Sequence, residues 1–526
     1  MPKVDSHDVQ ATFVRSTALL PGRLTSGSVL LRSTIWNLVG QLIPLLIAIP
    51  VLPIFLAKIG IDRFGILSLI WVAVGYFSLF DLGLARALTQ IVAKKIGEQR
   101  DADAQNVTAT ALTLMIPISV GGAAALWAAA PWLTSRALNV PPPLYDETVM
   151  SLRLVAIALP FVTTSSGFVG VLMAYQRFGA INVIRTPAMI LTVVLPLAVA
   201  FFTPTLEWLT APLLAARILA WIAYSIVCAH LLLRRGAPLR PAREEIAPLL
   251  RLGSWMTVSN TVGPILVYVD RFIIAAYVSA AAVAYYSTPY EVVTKLLVIP
   301  GAIVMVLFSA FTMSFVSNRD RTSFLFRQAV KYIFLAVFPA TFLIVLFADE
   351  ILRVWLGSEF AENSRAVFQI LAVGVLINSV AFAPNVLVQG IGRPDRVATL
   401  HVIELLVYLP SLWYATTHFG IEGAAVAWTA RVAVDATVLY WSAALLLSFK
   451  KGALIRMAAA CSGVSLLLIG SALMTTVLVK AAYLFAVAGL FCFVVWNGLL
   501  EPNERAAVRV ALQRTLERSV RKQRRG

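Results

Sequence analysis

Residues 149–174, VMSLRLVAIALPFVTTSSGFVGVLMA, decide the fold class. Arg153 is their only charged residue, and the run is longer than the about 20 apolar residues that a helix needs to cross a bilayer. Similar runs recur along the chain, in which 60% of the 526 residues are hydrophobic and 13% are charged. Because the chain has room for roughly 12 to 16 such spans, we predict an all-α polytopic membrane protein with about 14 transmembrane helices.

Apolar runs and the polar breaks between them predict the limits of these helices. The predicted spans, numbered 1 to 14 in chain order, are 33–58, 64–90, 105–130, 149–174, 181–203, 209–233, 248–276, 281–314, 328–348, 366–390, 397–417, 420–447, 454–479 and 481–500. The longest predicted outer loops lie around 134–148 and 349–365 and are short.

An internal repeat divides the chain. Residues 152–158, LRLVAIA, parallel 368–374, FQILAVG, and the same ungapped alignment brings 176–178, QRF, opposite 392–394, GRP. Six predicted spans separate the copies, and an even number of helices makes the two repeats parallel in topology, as in one class of secondary transporters. We predict a cytoplasmic arm at 1–30, an N-lobe at 31–236 (spans 1–6), a C-lobe at 245–449 (spans 7–12), an appended pair at 450–500 and a basic tail at 501–526.

The net charge of +17 is spread over loops on one predicted side of the membrane. This is the positive-inside pattern, which places both termini in the cytoplasm and gives no indication of nucleic-acid binding. The tail carries an apolar face among its arginines, formed by Val508, Leu512, Leu516 and Val520. Such a face indicates either an amphipathic helix on anionic lipid or a solvated basic tail.

Motifs for metal binding and catalysis are missing from the sequence. The three cysteines form no CxxC pair and the four histidines are scattered, so each histidine is interpreted as a surface or interfacial residue. There is no GxSxG, phosphate loop or HExxH motif. We predict a transporter with no metal or cofactor, not an enzyme.

Charged residues within the predicted spans are the informative ones, because each costs about 2.5–3.5 kcal/mol on insertion scales and is normally turned inward and paired. They are Asp81 and Arg86 in span 2, Arg217 in span 6, Asp270 and Arg271 in span 7, Glu291 and Lys295 in span 8, Glu404 in span 11, and Arg431 and Asp435 in span 12.

Spacing suggests which of these charges neutralise one another. Glu291 with Lys295, and Arg431 with Asp435, stand four residues apart and could pair within their own helices. Arg217 has no acidic neighbour in its span, and Arg271 points about 100° away from Asp270 around the helix. Since an arginine fork matches phosphate oxygens, we expect Arg217 and Arg271 to contact an anion in one shared cavity. Arg86 lies near the cytoplasmic end of span 2 and is expected to extend toward the interface.

Several segments resemble bacterial polysaccharide flippases, the O-antigen and exopolysaccharide members of the multidrug/oligosaccharidyl-lipid/polysaccharide exporter superfamily. They are 77–88, FSLFDLGLARAL; 270–274, DRFII, followed by Tyr285-Tyr286-Ser287; and 389–394, QGIGRP. The likeness spans predicted spans 1 to 12, with diffuse motifs.

The resemblance implies a V-shaped bundle of two six-helix lobes that moves undecaprenyl-pyrophosphate-linked oligosaccharide across the cytoplasmic (inner) membrane by alternating access. It also implies a basic cavity, for which Arg217, Arg271, Lys295 and Arg431 are the candidate substrate-binding residues. Asp81, Asp270 and Glu291 are available for ion coupling, and Arg86 and Asp435 for coupling or structural pairing. Anionic lipid at the tail and polysaccharide polymerases are the expected partners.

Two alternatives share the fold. A multidrug and toxin extrusion antiporter should carry an unpaired cavity carboxylate, which predicted span 1 lacks between Arg32 and Lys58. A flippase for the peptidoglycan precursor would share the basic cavity. Removal of the gene discriminates this second alternative: loss of surface glycan indicates a polysaccharide flippase, whereas loss of viability indicates a peptidoglycan-precursor flippase.

Overall fold

The computed structural model describes residues 49–76, 83–233, 240–391, 393–449, 463–502 and 504–506. The arm at 1–30, most of predicted span 1, Asp81 and residues 507–526 of the tail lie outside the described residues. Those that are described are predominantly helical and contain no strand, which confirms the predicted all-α class.

The helices of the described residues follow one another with short connections. They are α1 (Ile49–Ile59), α2 (Ile61–Tyr76), α3 (Leu84–Gly97), α4 (Asp101–Trp132), α5 (Tyr145–Ala174), α6 (Phe178–Ala200), α7 (Leu206–Leu233), α8 (Ile246–Tyr277), α9 (Ala280–Thr294), α10 (Val298–Ser317), α11 (Arg319–Leu346), α12 (Ala348–Leu356), α13 (Ser358–Gly390), α14 (Pro394–Leu446), α15 (Gly463–Leu473) and α16 (Val477–Val494).

Length and apolar composition make many of these helices membrane spans. Within the described residues, 8 helical stretches are long and apolar enough to cross a bilayer. A multi-pass membrane protein is therefore confirmed, and the count of about 14 spans stays a prediction.

Two compact units divide the chain. Among the described residues, unit 1 contains those within 49–60, 73–130 and 146–257, and unit 2 contains those within 61–72, 131–145 and 258–506. The boundary near residue 257 falls inside α8, which belongs to unit 1 at its start and to unit 2 from Val258 onward. The predicted six-helix lobes stay a prediction.

In unit 1, the backbones of α3 and α5 lie in close contact. A Cβ atom added at Gly170 would lie 2.6 Å from the carbonyl oxygen of Ala85, so only glycine fits there. The Thr89 hydroxyl, which lies 2.9 Å from that oxygen and 3.1 Å from the Gly170 oxygen, bridges the two helices.

In unit 2, α13 packs against the second half of α14. A Cβ atom at Gly374 would meet the fully buried ring of Trp428 at 2.5 Å. The predicted break between spans 11 and 12 is present within α14 at Gly420, whose φ of 59° and ψ of −143° interrupt the helix. We call the two parts of α14 its first and second arms.

Two predicted boundaries are wrong. Residues 349–365 form α12 and the start of α13, not a loop. Ala348 and Leu352 of α12 are buried on one face, while Asp349 and Arg353 form an i,i+4 ion pair on its polar side. Predicted span 8 (281–314) is divided by a 3₁₀ turn at Lys295–Leu297 into α9 and α10.

Candidate functional sites in the two units

Unit 1 carries arginines within its apolar helices, and the carboxylates of α5 and α7 lie in the first turns of these helices. Between residues 148 and 243 the sequence contains a single carboxylate, Glu207, in the first turn of α7. Arg217 lies in the middle of α7 and is partly buried, and its Nε has no hydrogen-bond partner among the described residues. α7 begins before predicted span 6 and therefore includes Glu207, which lies about 15 Å along the helix from Arg217.

Arg153 and Arg185 extend this feature to two more helices. Arg153 in α5 is partly buried, its guanidinium lies 5.2 Å from the ring of Trp127, and its Nε has no partner among the described residues. Arg185 lies exposed in α6. Sequence reasoning passed over Arg153 as a charge within a span, although it is the one charge in 149–174.

The three arginines occupy different depths along their helices. Arg153 lies about 12 Å from the start of α5 and Arg217 about 16 Å from the start of α7, at 1.5 Å per residue. Arg185 lies about 10 Å from the start of α6. Because α6 follows α5, and α7 follows α6, through turns of a few residues, neighbouring helices are expected to be antiparallel. Arg185 is then nearer one membrane face, Arg153 nearer the other, and Arg217 between them.

Aromatic side chains join these helices. The Tyr224 hydroxyl of α7 donates to the carbonyl oxygen of Ile181 in α6 at 3.4 Å, and Trp221 Nε1 of α7 donates to the Thr164 hydroxyl of α5 at 2.8 Å. These contacts fix the rotation of α7, and so the direction of Arg217. Arg86 is exposed in the first turn of α3.

In unit 2, the side chain of Arg271 in α8 is buried among three side chains that contact its guanidinium. It is 1% exposed, its Nη2 donates to Glu291 Oε1 of α9 at 2.9 Å, and its guanidinium lies 4.6 and 4.8 Å from the rings of Tyr268 and Tyr290. Arg271 is therefore less free than its spacing from Asp270 indicates, although its Nε and Nη1 have no partner among the described residues. Its role as an anion contact stays a prediction.

The neighbouring charges complete this network. Asp270, fully buried, accepts from the Tyr286 hydroxyl at 2.6 Å and from the backbone N–H of Arg271 at 2.8 Å. The predicted pair between Glu291 and Lys295 is present, with 3.2 Å between Lys295 Nζ and Glu291 Oε2. Lys295 is about half exposed, so unlike Arg271 it is accessible.

The charges of α14 pair differently from the prediction. Arg431 Nη1 lies 3.4 Å from Glu404 Oε2, on the other arm of α14, instead of pairing with Asp435 one turn away. Asp435 Oδ1 lies 3.8 Å from His401 Nε2. The bend at Gly420 brings the two arms together, so a partner across the bend replaces the one at i,i+4. His401, predicted to be a surface or interfacial residue, is partly buried in this cluster.

Arg217 and Arg271 belong to different units. The expectation that they face one cavity therefore stays a prediction. Asp81 lies outside the described residues.

The fold has relatives among solved structures. An inward-facing multidrug resistance MATE family transporter of the MOP superfamily, the exporter superfamily introduced above, matches with a TM-score of 0.62 and 17% identity. The match covers 75% of this chain and 93% of that one. A MOP superfamily transporter from Pyrococcus furiosus matches with a TM-score of 0.51, 18% identity and coverage of 78% and 95%. At these identities the likeness shows the fold alone: the chain is a helical membrane protein with the fold of these transporters.

The family follows from the sequence. The model of the polysaccharide biosynthesis protein family matches residues 59–365, more than half of the chain, and the chain belongs to that family. A Shigella flexneri protein named "Putative O-antigen transporter" is 28% identical over 78% of this chain and 97% of its own. A Haloferax volcanii protein named "Probable low-salt glycan biosynthesis flippase Agl15" is 27% identical over 38% and 42%. The resemblance to polysaccharide flippases and the transporter class are thereby confirmed.

Proposed function

We propose that this protein moves an undecaprenyl-pyrophosphate-linked oligosaccharide from the cytoplasmic to the outer leaflet of the inner membrane by alternating access, for O-antigen or exopolysaccharide synthesis. The observation that carries this proposal is the set of arginines in α5, α6 and α7, for which the described residues show no ion-pair partner. A charge within an apolar helix is costly unless it is compensated, and a pyrophosphate supplies the compensation that the protein sequence around these arginines lacks.

The type of residue supports the same substrate class. Arginine donates two parallel hydrogen bonds to phosphate oxygens and does not lose its charge when it leaves water. The depths of Arg153, Arg217 and Arg185 would present a cation at successive levels of the membrane. Lys295, Arg271 and Arg431 remain candidate contacts from unit 2. The names of the Shigella and Haloferax relatives, a transporter of O-antigen and a glycan flippase, agree with a glycan-bearing substrate.

The proposal includes an orientation and partners. The excess of basic residues in alternate loops supports cytoplasmic termini. A polysaccharide polymerase on the outer face would consume the product, and the tail would bind anionic lipid through its basic residues.

The test is transport of a fluorescent undecaprenyl-pyrophosphate oligosaccharide in proteoliposomes. Replacement of Arg217 by glutamine removes a charge-assisted contact worth about 1.5–3 kcal/mol, which corresponds to roughly 10- to 100-fold in apparent affinity. Arg177→Gln, at an exposed turn before α6, is the matched control and should transport normally.

The outcomes separate the candidate functions. Loss of transport in Arg217→Gln with a normal control supports an arginine-lined path for the anion. Preferential movement of the peptidoglycan precursor would replace the substrate, and export of cationic dyes without lipid movement would replace the proposal with a drug antiporter.

A further inference from the structure

We propose that His401, Glu404 and Asp435, together with Arg431, form a site in unit 2 that binds one proton. The cluster lies where the two arms of α14 meet, apart from the network around Arg271. We call it the α14 cluster. One ligand-type atom from each of His401, Glu404 and Asp435 lies within 4.8 Å of the other two.

Because the α14 cluster is buried, a net charge on it costs free energy. Glu404 is 5% exposed and Asp435 is 8% exposed. With both carboxylates ionised, Arg431 protonated and His401 neutral, the cluster carries one net negative charge in a membrane helix, which is unfavourable without a counter-charge. A single bound proton makes the cluster neutral, and a second would leave Arg431 uncompensated. One proton is therefore the stoichiometry that the residues require.

Carboxylate oxygens that accept no hydrogen bond from the described residues indicate where the proton binds. Glu404 Oε2 faces Arg431, whereas Glu404 Oε1 has no partner among the described residues. Asp435 Oδ1 is likewise unpartnered by any hydrogen bond there, although His401 Nε2 lies 3.8 Å from it. Two nearby carboxylates cannot both ionise easily. A proton on either carboxyl group turns an acceptor into a donor toward its neighbour.

The same geometry favours a proton over a metal ion. A cation held between Glu404 and Asp435 would lie close to the guanidinium of Arg431, which cannot be deprotonated. A proton adds its charge at an existing atom and needs no coordination shell.

The surroundings contain few other titratable groups. The ring of Tyr408, on the same arm as Glu404, lies 5.4 Å from the Arg431 guanidinium, and its hydroxyl has no partner among the described residues. Asp270 in α8 interacts electrostatically with Arg431 and with Tyr408. Tyr290 in α9 interacts in the same way with Tyr408. α13 packs along α14, and its stretch 366–390 contains no titratable residue.

Coupling follows from the pairing of Arg431, and this part rests on the proposed function. Protonation of Glu404 breaks its ion pair with Arg431 and removes the net negative charge of the cluster, so that an anion can approach the guanidinium. Deprotonation of Glu404 restores its ion pair with Arg431, and the arginine is then no longer available to an anion. The cluster would thus exchange a proton for substrate charge, as an antiporter requires.

The first experiment tests proton binding alone, on purified full-length protein in lipid nanodiscs. Infrared difference spectra between neutral and alkaline pH should contain a carbonyl band of a protonated carboxylic acid that disappears at high pH. The band should be lost or shifted in Glu404→Gln and Asp435→Asn and unchanged in Glu362→Gln, an exposed acid of α13. A wild-type spectrum without the band, or a band that all variants retain, would overturn the proposal.

The second experiment tests coupling in the lipid-linked oligosaccharide assay with an imposed pH gradient or an imposed sodium gradient. We expect acceleration by the pH gradient in wild type and Glu362→Gln, and at least a tenfold smaller response in Glu404→Gln and His401→Gln. Acceleration by sodium alone would overturn the proton assignment. If wild type moves no such lipid under any condition, the proposed function fails while the infrared result still decides proton binding.

Discussion

Replacement of Arg271 by alanine should destabilise unit 2 before it reveals anything about substrate. The change removes one of the two ion-pair partners of Glu291 among the described residues, the other being Lys295, and also the cation adjacent to Asp270, which is fully buried. Leaving a buried charge uncompensated costs about 3–5 kcal/mol. The lost contacts with Tyr268 and Tyr290 add about 0.5–1 kcal/mol each. Because Glu291 is 48% exposed and can be hydrated, we expect the lower end, about 3–4 kcal/mol.

The assay is thermal unfolding in detergent, followed by tryptophan fluorescence, beside transport. For a unit of this size, each kcal/mol lowers Tm by roughly 2–4 °C, so Tm should fall by on the order of 10 °C. Lys295→Ala is the control, since it removes the exposed partner of the same Glu291 and should cost at most about 1 kcal/mol. An Arg271→Ala protein that melts like wild type but fails to transport would refute this reasoning and make Arg271 a substrate contact.

Further expectations concern packing and surface contacts. Gly65→Ala should lower the stability by about 1–3 kcal/mol or more, because its Cβ would lie 1.7 Å from a carbonyl oxygen of α9, whereas Gly97→Ala meets nothing within 4 Å and should be neutral or stabilising in the same melting assay. Glu350→Ala should be more destabilising than Lys480→Met, because Lys480 is 2% exposed with both Glu350 oxygens at 2.8 Å while Glu350 is about one-third exposed and can be hydrated alone. Hydrogen bonds from Lys331 and Tyr332 of α11 lower the pKa of Glu504 from its ordinary value of 4.5 to about 2, so its contact should be fully present above about pH 4.5 and lost as pH falls through about 2. Fluorescence quenching between a label on α11 and one at exposed Pro502, which leaves Glu504 in place, measures this, and attachment that persists below pH 2 would contradict it.

The spans were predictable because hydrophobicity over about 20 residues depends little on tertiary contacts. Predicted span 6 (209–233) and α7 (Leu206–Leu233) differ at one end only. α12 was not predictable in this way, since its charges made it resemble a loop and its apolar face has only a few residues. Helix ends set by capping, such as the Asn318 side chain that accepts from Arg321 N–H before α11, likewise lie outside the apolar run.

Charge pairing was harder to predict than charge position. Glu404, Arg431 and Asp435 were identified from their cost in a membrane span, but the partner of Arg431 depends on how the bend at Gly420 turns one arm against the other. Spacing along one helix therefore favoured the wrong pair. His401 was passed over because a lone histidine gives no signal until Asp435 is placed beside it.

The internal repeat connects the two proposed sites. The alignment that places Arg153 opposite Gln369 also places Arg185 opposite His401 without a gap. A fixed cation in one copy thus corresponds to a titratable group in the other, and the positions opposite Glu404 and Asp435 are occupied by Ala188 and Leu219. If the predicted repeat holds, these different charges agree with the proposed ligands, an anion in unit 1 and a proton in unit 2.

The assignment of the anion to unit 1 and of the proton to unit 2 can be tested by measuring both lipid binding and the infrared band on a variant of each unit. Arg217→Gln should weaken binding of the pyrophosphate-linked lipid by roughly 10- to 100-fold while the infrared carboxyl band keeps its intensity and pH dependence. Glu404→Gln should abolish the band while binding of the lipid at fixed neutral pH changes less than about threefold, because no unit 1 arginine is altered. A Glu404→Gln protein that loses lipid binding as completely as Arg217→Gln would show that one site serves both ligands, and would contradict the assignment of anion and proton to separate units.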